Sequence, residues 1–271
     1  MTPPPPFTVE VAGPFRVEQV HAVWTTVERR TTPEIEALIA EAWAARMAEA
    51  EARGGMLWSA PMARLVDWGV DNGELAIRFG PTTYRDFAST NVANPWIAAR
   101  YGPDHLSDGC GISALIRTAD GQLVLQRRSQ AVFEFPGRIA ACGGALEPLS
   151  DDDPSTTLAA QASREIHEEL GLPPAALSAL SLLGIGRTTD RHKPELVYLA
   201  ETIVTWPYLR DHQHEEHTAL LALPDTADAV AATLRDGWDD YAPPGLMALT
   251  LREICRFAGL LQASWQPDRT T

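Results

Sequence analysis

Apolar and polar positions follow two different rhythms along the chain. FTVEV (7–11) and FRVEQVHAVW (15–24) place alternating and β-branched residues between turn signals, which predicts one or two strands over 7–27. Thr32-Pro33 then opens a helix to about Arg53. Its stripe is Ile35, Leu38, Ile39, Trp43 and Met47, and Gly54-Gly55 stops it. ELAIRF (74–79), after the Asp71-Asn72-Gly73 turn, predicts another strand, and a short helix is expected around Pro95 to Arg100. Residues 1–103 therefore read as a small α+β module.

Past a polar connection at 101–109 the strands become short and strongly apolar. CGISALIRT (110–118) and LVLQR (123–127) flank Ala119-Asp120-Gly121, a hairpin signal. RIAAC (138–142), 180–187, 194–204 and TALLAL (218–223) predict further strands, with helices over 225–235 and 243–261. The expectation is a second α+β domain over 104–271.

The helix expected over Pro154 to Leu170 carries the chemistry. Asp153 suits its N-cap, Pro154 its first turn and Gly171 its end. Leu158, Ala162, Ile166 and Leu170 form its apolar face. Glu165, Glu168 and Glu169, at i, i+3 and i+4, fall on one patch. Such a patch is either a solvated face or a cation site. Gly143-Gly144 follows a strand directly and lets the backbone turn sharply or approach a ligand, and Glu147 lies three residues on. A glycine-turned loop beside clustered carboxylates suits Mg2+ or Mn2+ completed by substrate phosphates.

Composition narrows the field. The chain has 271 residues, and 36 acidic against 22 basic residues give a net charge of -14. That disfavours a nucleic-acid coat, and an anionic substrate would need local neutralisation by arginine or metal. Only one of the 22 basic residues is a lysine, Lys193, so a catalytic lysine is not expected. No run of 18 apolar residues predicts a membrane span, and MTPPPPFTVEVAG lacks the regions of a signal peptide, so a cytoplasmic location is expected. Cys110, Cys142 and Cys255 show no metal-ligand spacing and read as buried thiols.

Gly144, Arg164, Glu165, Ile166, Glu168, Glu169, Gly171 and Leu172 resemble the signature of the Nudix hydrolase family. That signature is glycine, five residues, glutamate, seven residues, then Arg-Glu-apolar-x-Glu-Glu-x-Gly-apolar. Its second half matches without a gap; in the first half Ser150 stands where the glutamate is expected, and six extra residues precede Arg164. TYRDFASTN (83–91), PGRIAACGGALEP (136–148) and LLGIGRTTDRHKPELVY (182–198) resemble the UDP-glucose pyrophosphatase branch of the family.

The resemblance implies an α/β/α Nudix sandwich with a mixed sheet, preceded by the N-terminal module. It implies Glu165, Glu168 and Glu169 as ligands of Mg2+ or Mn2+, with Gly144 and Glu147 in support and Arg164 neutralising the cluster. The base would be Glu216 or Glu215, in the loop before the last strand, or Glu168. Arg187, Arg128, Arg127, Tyr84 and Asn91 are candidate substrate contacts, and Glu134 is a further acidic group near the site. The implied reaction converts a UDP-sugar to UMP and sugar 1-phosphate. ADP-ribose or another nucleoside diphosphate derivative is the alternative substrate, and a catalytically weak nucleotide sensor the alternative class. The expected partner is a small-molecule nucleotide sugar, with no nucleic acid and no membrane; a homodimer stays open.

Overall fold

An eight-stranded mixed sheet organises the chain in the computed structural model, which describes residues 5–130, 132–211 and 217–264. In the first hundred residues lie β1 (Phe7–Arg16), β2 (Val20–Trp24), helix α1 (Pro33–Ala52), β3 (Pro61–Asp71) and β4 (Glu74–Thr83). The short helices α2 (Tyr84–Phe87) and α3 (Ile97–Tyr101) follow. Next come β5 (Gly111–Arg117), β6 (Gln122–Arg128), β7 (Ile139–Ala140), β8 (Cys142–Ala145) and helix α4 (Leu158–Leu170). The chain then adds β9 (Leu177–Thr188), β10 (Pro194–Thr202), α5 (Trp206–Asp211), β11 (His217–Pro224), α6 (Ala227–Asp236) and α7 (Pro243–Ser264).

The main sheet runs β1-β9-β10-β5-β6-β11, with β7 against β6 and β8 against β5. Strand β5 is parallel to β10 and antiparallel to β6 and β8. Its continuous apolar run reflects cover on both faces. Ile112, Ala114 and Ile116 share a core with Leu158, Ala162, Ile166 and Leu170 of α4. Leu115 instead packs with Leu246, Met247 and Leu249 of α7. The sheet is thus sandwiched between helices, as an α+β Nudix sandwich requires.

The stretch before residue 104 is not separate from this sheet. Strand β1 is its edge strand, antiparallel to β9. The small sheet β2-β4-β3 sends Leu65, Leu75, Ile77 and Phe79 into the same core as Ile112 and Ala114. Helix α1 starts at the Thr32 cap as expected and buries Ile35 and Ile39 against Ile97 and Leu106. Met47 does not join them; it is 47% exposed, because the helix extends past the surface it covers.

Helix α4 begins later than the sequence suggests. Asp153 caps only a 3-10 turn over Pro154–Thr156, and extended Thr157 resets the chain, its hydroxyl accepting from Ala160 N. Gly171 ends the helix in the left-handed conformation, at φ 66°. The insertion at 149–157 closes on itself, with Thr156 Oγ1 accepting from Ser150 N and donating to Ser150 O. Among the described residues no helix is long and apolar enough to cross a membrane.

Candidate active site

Burying the Ile166 and Leu170 face of α4 turns its glutamates toward the β8 strand end. The Glu165 carboxylate lies where a Cβ on Gly144 would sit, so glycine is what admits it. Burial, and then the charges of Glu169 and Glu168, push its pKa up to about 7 against the pull of Arg164. Glu169 accepts from Gln126 Nε2 at 2.7 Å and from Gly143 N–H at 2.9 Å. Burial still raises its pKa over these bonds. Arg164 sits 2.8 Å from Glu147 and 3.9 Å from Glu168, pairing with the two outer carboxylates. Among the described residues neither Glu165 nor Glu169 has an ion-pair partner.

Two under-neutralised carboxylates beside a glycine backbone have the donor chemistry of a hard divalent cation. Among the described residues no three His, Cys, Asp or Glu side chains converge as a ready cage. Glu147 and Glu168 face Arg164 instead. Mg2+ retains several waters and needs only one or two carboxylates plus substrate phosphate, so the set fits. A Gly144→Ala substitution should displace the Glu165 carboxylate and lower kcat on the order of 10-fold. Its melting temperature should stay close to wild type, which a thermal melt beside the rate measurement checks.

Gly143 and Gly144 also line a cavity, together with Arg128, Glu134, Lys193 and Glu195. Its apolar wall includes Tyr84, Phe87, Phe133 and Phe135. Tyr84 meets Trp43 and Phe133 edge-on, with centroids 6.2 and 6.3 Å apart, and the Arg46 guanidinium lies 3.5 Å above the Phe133 ring. Arg128 Nε donates to the Glu134 carbonyl at 2.9 Å. Lys193 Nζ is 2.8 Å from Glu134 and 3.6 Å from Glu195.

A NUDIX domain model matches residues 109–238, which span β5, the glycine loop and α4. A Bos taurus protein named uridine diphosphate glucose pyrophosphatase NUDT22 is 30% identical over 212 residues, covering 68% of this chain and 72% of its own. This chain belongs to the Nudix family. The Homo sapiens protein of the same name is 29% identical over 228 residues, 74% of each chain. The crystal structure of DR0079 from Deinococcus radiodurans aligns with TM-score 0.39 at 22% identity, over 54% of this chain and 82% of that one.

Helix α4 thus brings Glu165 and Glu169 to the Gly143-Gly144 loop, with Glu168 and Glu147 paired to Arg164 beside it, while Tyr84 and Arg128 line the adjoining cavity. Three other candidates are held elsewhere. Arg187 donates to Glu10 at 2.7 Å, Asp108 at 2.9 Å and the His192 carbonyl at 2.8 Å, tying β1 to the β9–β10 turn. Arg127 is forked on Asp240 and also reaches the Gly137 carbonyl. Asn91, fully buried, donates to the Arg191 carbonyl and accepts from Asp108 N–H. These three read as structural clamps, because their polar groups are already engaged. Glu215 and Glu216 lie outside the described residues.

Arg187→Ala should accordingly lower stability by about 2 kcal/mol, since it strips a buried carboxylate of its partner. KM should hardly move; a large KM rise without loss of stability would return Arg187 to the substrate. The sequence reading missed Lys193, Glu195 and Ser113 at the cavity. The signal available was two charged residues flanking Pro194 at the start of a buried strand, where charges need partners.

Proposed function

We propose that this Nudix hydrolase cleaves the pyrophosphate bond of a UDP-sugar to UMP and sugar 1-phosphate. The observation that carries the reading is Glu165 and Glu169, half-buried and without ion-pair partners among the described residues, at a glycine loop that also lines a cavity with Arg128, Lys193 and four aromatic rings. The names of the relatives matched over about three quarters of their length support the choice of substrate. Glu165, Glu168 and Glu169 would hold Mg2+ or Mn2+, with the Gly144 carbonyl and Glu147 in support. When bound, the ion offsets pyrophosphate charge and acidifies an attacking water. Arg164 keeps the outer carboxylates oriented, and Arg128, which lines the cavity, would meet a phosphate oxygen. The proton is taken by Glu168, or by Glu215 or Glu216, which precede β11 in the sequence.

The test compares kcat/KM for UDP-glucose, UDP-N-acetylglucosamine, ADP-ribose and nucleoside triphosphates at equal Mg2+. UDP-sugars should lead, and chelation should abolish turnover until Mg2+ or Mn2+ is returned. A preference for ADP-ribose or a triphosphate above about 100-fold, a gap of roughly 2.7 kcal/mol in transition-state binding, would replace the substrate class. Full activity after rigorous metal removal would sink the hydrolytic site itself.

A further inference from the structure

Glu195 is 3% exposed, yet its Oε2 has no hydrogen-bond partner. The fold makes room for it: Glu195 pairs in register with Gly111 of β5, and a Cβ there would overlap the carboxylate. Its other oxygen is fixed, accepting from the Ser113 hydroxyl at 2.5 Å. Lys193 lies alongside with Nζ 3.6 Å from Oε2, itself anchored by Glu134 at 2.8 Å. Arg191 meets the other Glu134 oxygen at 3.1 Å, so each oxygen of Glu134 has a hydrogen-bonded cation while Glu195 Oε2 has no hydrogen bond. Ser113, Lys193, Glu134 and Glu195 all line the cavity beside Gly143-Gly144.

An under-bonded buried acceptor carries a cost unless something supplies its donor. Here an acceptor and an ammonium stand side by side, and the ammonium has three protons to share. Burial works against the charge of Lys193, but Glu134 and Glu195 outweigh it and hold its pKa above the ordinary lysine value. A free phosphate would suit the lysine but would meet the Glu195 carboxylate. A bare nucleobase would suit the aromatic wall but would not call for the ion pair. Adjacent ring hydroxyls satisfy both groups, since each hydroxyl donates and accepts. Phe133, Phe135 and Tyr84 line the same cavity and supply apolar surface for the ring's C–H groups.

We propose that Glu195 and Lys193 form the hydroxyl-reading floor of the substrate cavity, Glu195 Oε2 accepting from one hydroxyl of a sugar ring and Lys193 Nζ donating to its neighbour. This rests on the nucleotide-sugar reading above and adds which residues select a hydroxylated ring. Ser113 is a positioning residue: it holds the carboxylate in place. Both the hexose and the ribose of a UDP-sugar carry such hydroxyls, and substrate analogues separate them.

The experiment measures kcat/KM of wild type and Glu195→Gln on UDP-glucose, on UDP-deoxyglucoses each lacking one ring hydroxyl, and on the 2′- and 3′-deoxyuridine analogues. Wild type should lose on the order of 10- to 100-fold on two analogues, the one lacking the hydroxyl that Lys193 meets and the one lacking the hydroxyl that Glu195 reads. Glu195→Gln should lose as much on UDP-glucose and nothing further on the second of these analogues, which identifies the ring. A variant within about 2-fold of wild type on UDP-glucose, well inside the loss a charged hydrogen bond implies, or one losing equally on every analogue, overturns the proposal.

A second readout needs no turnover and no variant. With one lysine in the chain, 15Nζ-lysine labelling gives a single side-chain ammonium signal. Glucose 1-phosphate or UMP should shift it at saturation; no shift with either overturns the proposal. A shift in a protein that does not hydrolyse UDP-glucose keeps the hydroxyl-reading floor and overturns only the substrate reading.

Discussion

Glu165→Gln and Glu169→Gln are each expected to lower kcat on the order of 10²-fold or more while leaving the protein folded. Glutamine keeps the volume of either side chain and removes the charge that would hold a cation. At Glu169 the amide oxygen can still accept from Gly143 N–H, which is 2.9 Å away in the native arrangement, so the loop should keep its shape. The loss then measures transition-state charge stabilisation, of which 10²-fold is about 2.7 kcal/mol. Without metal, Glu165→Gln should melt higher than wild type, because it relieves repulsion within a half-buried carboxylate cluster. Added Mg2+ should raise the melting temperature of wild type and do little for the variant. Near wild-type rates in both variants would mean that the cluster is only a solvated face.

The largest effect on stability is expected at Asp225, far from this chemistry in role. Its side chain is 3% exposed and receives Arg117 at 2.8 Å, Arg252 at 2.7 Å and Arg256. It thereby joins the end of β5, the start of α6 and the length of α7, while its own N–H donates to the Gly121 carbonyl in the hairpin turn. Asp225→Ala leaves three guanidinium groups facing one another, and should cost about 3–5 kcal/mol. That corresponds to a fall of roughly 10 °C in melting temperature. Burial pushes the carboxyl up, but Arg252 and Arg256 outweigh it and hold its pKa below the ordinary value. The stabilisation is therefore complete above the unfolded pKa of about 3.9 and is lost as pH falls through the lower folded value. Wild type should lose this stability below about pH 4, whereas Asp225→Ala should show a shallower acid dependence there. A variant melting within a degree of wild type would remove the account of α7 docking.

What could be read from the sequence was whatever depends on local rules. The α4 glutamates, their apolar companions and the Gly171 stop follow from helical spacing and capping, and all three recur in the structure. The helix start did not, because Asp153 and Thr157 are both good caps and only the chain path selects between them. Non-local pairings left no local trace. Nothing in FTVEV announces that β1 will edge the same sheet as β9, some 170 residues later, as a backbone ladder can form at any separation. Arginines were the hardest to place. Arg187, Arg127 and Arg128 look alike at strand ends, yet the first two are claimed by Asp108 and Asp240, and only the third reaches the cavity. Lys193 was discounted by its rarity, although burial beside two glutamates is what gives a single lysine a defined position.

The measurement that tests the central claim most directly is 31P NMR of UDP-glucose incubated with the protein, with Mg2+ and with chelator. With Mg2+, the paired pyrophosphate resonances should give way to two phosphomonoester signals in equal amounts, UMP and glucose 1-phosphate, and Glu165→Gln should slow the conversion on the order of 10²-fold. Chelator should leave the pyrophosphate intact. Unchanged pyrophosphate resonances in the Mg2+ sample, or conversion at the same rate in chelator and in Glu165→Gln, would contradict the account.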